Sequence, residues 1–190
     1  FSQMRTIAAF FTTFALVLTA GVASAATWCV PDALIEYRNC RSVAPTIQEA
    51  VDGAKSGDLI IVGRGTYVER VVVDKYLTIR GLPGAHVTDA ALQPEAGSAL
   101  VRFKGTMTRG PRIERLTLDV VMSDVGVLVD SGVAHAELKF VQVRGHVTPR
   151  LPVGVQASGT LRFGFRGTRR ATTVDQALVT GFAIGIDLRD

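Results

Sequence analysis

The chain is poor in the residues that build dense metal or disulfide scaffolds. Two cysteines among 190 residues exclude a small disulfide-stapled framework and a four-thiolate zinc site. Its three histidines, at 86, 135 and 146, are too widely spaced to suggest a clustered metal site. Gly63-Arg64-Gly65 has Val68 where a dinucleotide fingerprint requires its third glycine. No G-x-S-x-G elbow occurs. A formal charge of +4 is too small to imply a nucleic-acid partner by itself. What is present is ordinary globular material, 47% hydrophobic and 20% charged, enough for one domain or a small pair with a buried core.

The one long apolar run lies at the start. Met4-Arg5 precede a run from Ile7 to Val22, and Ala23-Ser24-Ala25 follow. A basic start, an apolar middle and a small-x-small exit predict a secretory signal over residues 4–25, cleaved after Ala25. Thr12, Thr13 and Thr19 dilute the run, and it is too short to serve as a spanning anchor. Phe1-Ser2-Gln3 are expected to be upstream sequence, with the start at Met4. The mature protein is therefore expected to be secreted or periplasmic and free of the membrane. In an oxidising compartment Cys29 and Cys40, just beyond the cleavage site, are predicted to form a disulfide.

Past Pro45 the pattern is helical. Thr46-Ile47-Gln48-Glu49 reads as a capping box, and Ile47, Ala50, Val51 and Ala54 recur on one face, predicting a helix over 46–54 that ends near Gly57. After it the chain changes to short strands: Leu59 to Val62, then Val71 and Val73, then Leu77 and Ile79. Similar pieces recur as Leu77-Thr78-Ile79-Arg80-Gly81, Leu116-Thr117-Leu118-Asp119 and Val141-Gln142-Val143-Arg144-Gly145. A second type recurs at Gly126, Gly154 and Gly185. Imperfect repeats of this kind, with no alternating helices, predict an all-β, right-handed parallel β-helix solenoid with a short N-terminal capping helix. An antiparallel sandwich is the competing arrangement. The domains expected are the signal at 4–25, a disulfide loop and capping helix at 26–56, and the solenoid at 57–190. The chain ends at Asp190 on an alternating strand pattern, so the natural protein is expected to carry further repeats.

Thr46 to Val51, Gly57-Asp58, Ile61-Val62, Gly65-Thr66-Tyr67-Val68-Glu69 and Leu77 to Gly81 together resemble the opening of pectin-lyase-like right-handed parallel β-helix proteins. The resemblance implies that the helix at 46–54 plugs the open end of the solenoid. It does not extend to every active site in that superfamily. His146-Val147 stand where pectin methylesterases show Gln-Asp. The Asn-x-Asp and Asp-Asp signatures of polygalacturonases are missing, since the single asparagine is Asn39. Pectate lyases need only a Ca2+ held by two or three carboxylates and an Arg that removes the proton α to a uronate carboxyl.

Asp119, Asp124 and Asp130 are the candidate Ca2+ ligands, since carboxylate oxygens suit a hard cation, and Asp187 is a further carboxylate of the same kind. Asp119, Asp130, Arg144 and His146 are the candidate catalytic groups; the alternative is that Asp119 and Asp130 sit at strand ends because Asp favours turns. Residues 138–174 hold no Asp or Glu but seven basic residues, and Arg162 and Arg166 alternate with Phe163 and Phe165. With Arg144 these two are the candidate ligand-binding residues, because guanidinium forks suit carboxylates. The sequence thus predicts an exported protein that binds acidic polysaccharide or serves as a surface structural module. The alternative is a polysaccharide lyase or glycoside hydrolase acting on polyuronates such as pectin. Ca2+ is expected only if the chain is a lyase, and no other cofactor. Nucleic acid is not an expected partner.

Overall fold

The computed structural model describes residues 25–30, 40–95, 97–145, 163–168, 172–176, 178–180 and 184–189. Nearly all of the signal segment, and His146, Gly154, Arg162 and Asp190, lie outside the described residues. The chain opens with β1 (Thr27–Val30) and β2 (Ser42–Val43), then the helix α1 (Ile47–Gly53). Strands follow in rounds of three: β3 (Leu59–Val62), β4 (Gly65–Val68) and β5 (Val71–Val73), then β6 (Thr78–Gly81), β7 (Ala85–Thr88) and β8 (Ala99–Phe103). The third round is β9 (Arg112–Glu114), β10 (Thr117–Val120) and β11 (Val125–Val129). The last strands are β12 (Ala136–Lys139), β13 (Gln142–Gly145), β14 (Phe163–Thr168), β15 (Thr172–Asp175), β16 (Leu178–Thr180) and β17 (Ile184–Arg189).

These strands form three sheets. The first runs β15-β12-β9-β6-β3-β1-β2, the second β16-β13-β10-β7-β4 and the third β17-β14-β11-β8-β5. Every recorded pairing is parallel. The expectation of an all-β, right-handed parallel β-helix solenoid is corrected here: three flat parallel sheets with one helix make an α/β-like arrangement, not a clear solenoid. The physical reason is that period-2 alternation and recurring turns fix strands and their facing sides. They do not fix how separate sheets are set against one another. The two strand types read from the sequence also divide differently: Thr78–Gly81 lies in the first sheet, while Thr117–Val120 and Gln142–Gly145 are neighbours in the second.

Alternation sorts each strand into an inward and an outward row. Ile60, Ile79, Ile113 and Leu138 are in register across the first sheet, and all are buried. Val87, Leu118 and Val143 do the same in the second sheet, and Val71, Val101 and Val127 in the third. One continuous cluster of buried side chains takes in residues of all three sheets and of α1. Burial stabilises each such aliphatic side chain by about 1.5–3 kcal/mol.

The helix forms as the capping signature predicts, one residue shorter at each end. The Thr46 side chain accepts from the Glu49 N–H at 3.1 Å. A carboxylate from beyond β4 completes the cap: Glu69 accepts from the N–H groups of Ile47 and Gln48 at 2.9 and 2.8 Å, where the helix dipole favours negative charge. At the other end Lys75 Nζ donates to the carbonyls of Val51, Asp52 and Ala54. Gln48 accepts from the Val72 N–H and donates to the Val72 carbonyl, so its amide satisfies backbone groups on the free side of β5. Ile47, Ala50 and Val51 are buried, and Trp28 packs so closely on Gly53 that a Cβ there would collide with the indole. Gly57 takes the left-handed φ of 97° expected for the turn after the helix. The predicted Cys29–Cys40 disulfide is present, with a Cα–Cα distance of 5.7 Å. Among the described residues no helix is long and apolar enough to cross a membrane.

Candidate functional site

The outward face of the second sheet carries most of the chemistry. Thr66, His86, Thr117, Gln142 and Leu178 are in register in one row, and Val68, Thr88, Asp119, Arg144 and Thr180 in the next. Their inward neighbours Ala85, Val87, Leu118 and Val143 are held in the core, so packing on one face fixes the outward direction on the other. His86 Nδ1 lies 3.3 Å from Asp119 Oδ2, and Arg144 Nη1 lies 3.9 Å from Asp119 Oδ1. Arg144 Nη2 donates to Gln142 Oε1 at 2.8 Å. Asp119 therefore sits between a histidine and an arginine, with side-chain exposures of 35% for His86, 21% for Asp119 and 46% for Arg144. At this exposure the Arg144–Asp119 pair contributes about 0–1 kcal/mol to stability.

A groove of about 430 Å3 adjoins this face where the chain passes from the first sheet to the second. Leu82, Pro83, Arg115, Thr117, Phe140 and Gln142 line it. Arg115 and Phe140 occupy the same position of successive corners, both in the left-handed region with φ of 54° and 55°. That conformation is uncommon for non-glycine residues and lets the chain turn sharply between strands. It also places the Arg115 guanidinium 5.9 Å from the centroid of the Phe140 ring, within range of a cation–π contact. Phe140 is 50% exposed. The groove thus offers an apolar ring, the Arg115 guanidinium and the planar amide of Gln142.

The carboxylates predicted from sequence do not gather. Asp124 accepts from the Gly97 N–H at 2.6 Å. Asp130 takes Arg102 in a forked pair, closest at 3.0 Å, beyond the end of β11 in the third sheet, while Asp119 belongs to the second. Among the described residues no group of three His, Cys, Asp or Glu could hold a metal ion. Asp187 pairs in register with Arg166 on β14 and β17. Arg166 is in the third sheet and Arg144 in the second, so these two candidate ligand residues do not share one row. His146 and Arg162 fall outside the described residues.

The fold brings the predicted residues Asp119 and Arg144 together on the second sheet, and sets Arg166 and Asp187 in register on the third. Sequence reasoning missed His86, Arg115 and Phe140. A usable signal existed: residues 112–119 and 137–144 follow the same alternation, and aligning them puts Arg115 on Phe140, Thr117 on Gln142 and Asp119 on Arg144, the last two being observed register pairs.

Two other polar clusters serve the structure. Arg80, Arg112 and Lys139 alternate with Glu114 and Glu137 across the first sheet. Burial lowers the Arg112 pKa, but Glu137 and then Glu114 outweigh it, so the guanidinium is held more firmly charged. Asp89 is fully buried and accepts from the N–H groups of Val121, Met122 and Ser123. No family model, curated protein or solved structure matches this chain, and nothing identifies it as pectin-lyase-like.

Proposed function

We propose that this protein binds an acidic polysaccharide along the outward face of the second sheet and the adjoining groove, as an exported binding module. The observation that supports this most is Arg115 over the half-exposed Phe140 ring, beside a groove that also reaches Gln142, the hydrogen-bond partner of Arg144. An aromatic face accepts the apolar face of a sugar ring, and guanidinium forks accept carboxylates. Arg115 makes no ion pair among the described residues. Arg144 has five N–H donors, and among the described residues it donates to Gln142 and lies 3.9 Å from Asp119. The disulfide between Cys29 and Cys40 suits an oxidising compartment.

Calorimetric titration with a polyuronate tests the reading. Arg115→Ala combined with Arg144→Ala should weaken binding at least about tenfold, since a charge-assisted hydrogen bond is worth roughly 1.5–3 kcal/mol. Affinity of the unaltered protein should fall with added salt. Equal affinity in the double variant, or no binding by the unaltered protein, refutes the proposal.

A further inference from the structure

The pairing of His86 with Asp119 has a consequence for the same face. An ionised carboxylate can only accept, so the contact at 3.3 Å assigns the proton of the neutral ring to Nδ1. Nε2 then carries the lone pair and makes no hydrogen bond among the described residues. When the ring takes a second proton it arrives at Nε2, which changes from acceptor to donor. The same event changes the charge of the cluster. With His86 neutral, Asp119 and Arg144 cancel; with His86 protonated, the three groups sum to one positive charge.

Charged groups around His86 reinforce this arithmetic. From β10 it meets Asp119, and Arg144 on β13 lies on the far side of that carboxylate. β4 brings Thr66 and Val68 beside it, neither of which titrates. In the loop before β4, Arg64 donates to the Pro83 carbonyl just ahead of β7. Arg115 lines the adjoining groove. Apart from Asp119, the charged groups named here are arginines, which keep their charge throughout the working range. Among the described residues of this face His86 is the one histidine, the residue type whose charge can change near neutral pH.

We infer that His86, held by Asp119 beside Arg144, makes the binding face pH-sensitive, so that it takes anionic glycans more tightly as the medium becomes acidic. The inference rests on the binding reading above and names its regulation. One added charge-assisted contact at Nε2 corresponds to about a tenfold gain in affinity.

The test measures affinity for a polyuronate at about pH 5.5 and about pH 8, a window in which histidine changes charge and uronate carboxylates stay ionised. A neutral glucan serves as the control ligand. The unaltered protein should bind the polyuronate about tenfold more tightly at the lower pH. His86→Gln should bind equally at both values. Asp119→Asn removes the balancing negative charge, so it should bind more tightly than the unaltered protein at the higher pH. Binding by the unaltered protein that does not vary with pH overturns the inference and leaves the binding reading standing. A pH dependence that survives His86→Gln also overturns it, by assigning the effect to another group. No polyuronate binding at either pH removes both. All three proteins should melt at similar temperatures, since His86 and Asp119 lie on the outward rows and their core neighbours are unchanged.

Discussion

Removing the Asp89 carboxylate should be one of the most damaging single polar changes in this protein. Asp89 Oδ1 accepts from the N–H groups of Val121 and Met122 at 2.8 and 3.0 Å, and Oδ2 from Ser123 at 2.6 Å. The side chain has no exposed surface, and the Arg70 guanidinium is 3.8 Å away. Each hydrogen bond to a charged group is worth roughly 1.5–3 kcal/mol net, and the three share one acceptor, so they do not simply add. Asp89→Ala leaves three donors without their partner and should cost about 3–5 kcal/mol. Asp89→Asn keeps an oxygen for two of them but turns an amide N–H2 toward the third, at a cost of about 2–3 kcal/mol. Burial by itself pushes this carboxyl up. The Ser123 hydroxyl and the backbone N–H groups of Met122, Val121 and Ser123 outweigh it and hold the folded pKa below 3.8. A depressed folded pKa means the stabilisation is complete above the unfolded value and is lost as pH falls through the folded one. Urea titrations should therefore show a constant gap between the unaltered protein and Asp89→Asn from neutral pH down to about 4, narrowing below that. A gap under about 0.5 kcal/mol at neutral pH, or one that persists unchanged in strong acid, would refute the assignment.

Gly53→Ala should destabilise by about 1–3 kcal/mol, because the new methyl meets the Trp28 ring and one of them must shift. Trp28 is the only tryptophan in the chain, so a displaced ring should change the emission spectrum of the folded protein, and an unchanged spectrum with unchanged stability counts against this packing. Reducing the Cys29–Cys40 disulfide should cost about 2–4 kcal/mol. A shift in the urea midpoint with reductant checks it, and an unaltered midpoint would show that the bond does not constrain the unfolded chain.

Sequence alone determined the local facts. Thr46 and the spacing of Ile47, Ala50 and Val51 specify a helix whose apolar face must be covered, and the observed helix differs by a residue at each end. The alternation at Val71, Val73 and Ile79 determined which side chains turn inward, because a strand's period of two leaves no third choice; the continuous apolar run Leu59 to Val62 left its inward row to the structure. The two cysteines just past the predicted cleavage site were expected to pair, and they do. Sequence did not determine how the sheets are disposed, and there the solenoid expectation failed. Nor could it determine lateral neighbours. Asp119, Asp124 and Asp130 are close along the chain but are directed to different partners. His86 and Asp119 are far apart along the chain, yet meet because β7 and β10 pair in parallel with Thr117 opposite His86. Register between strands is set by the packing of the buried rows over the whole sheet. A contact made on the outer face is therefore decided by side chains on the inner one.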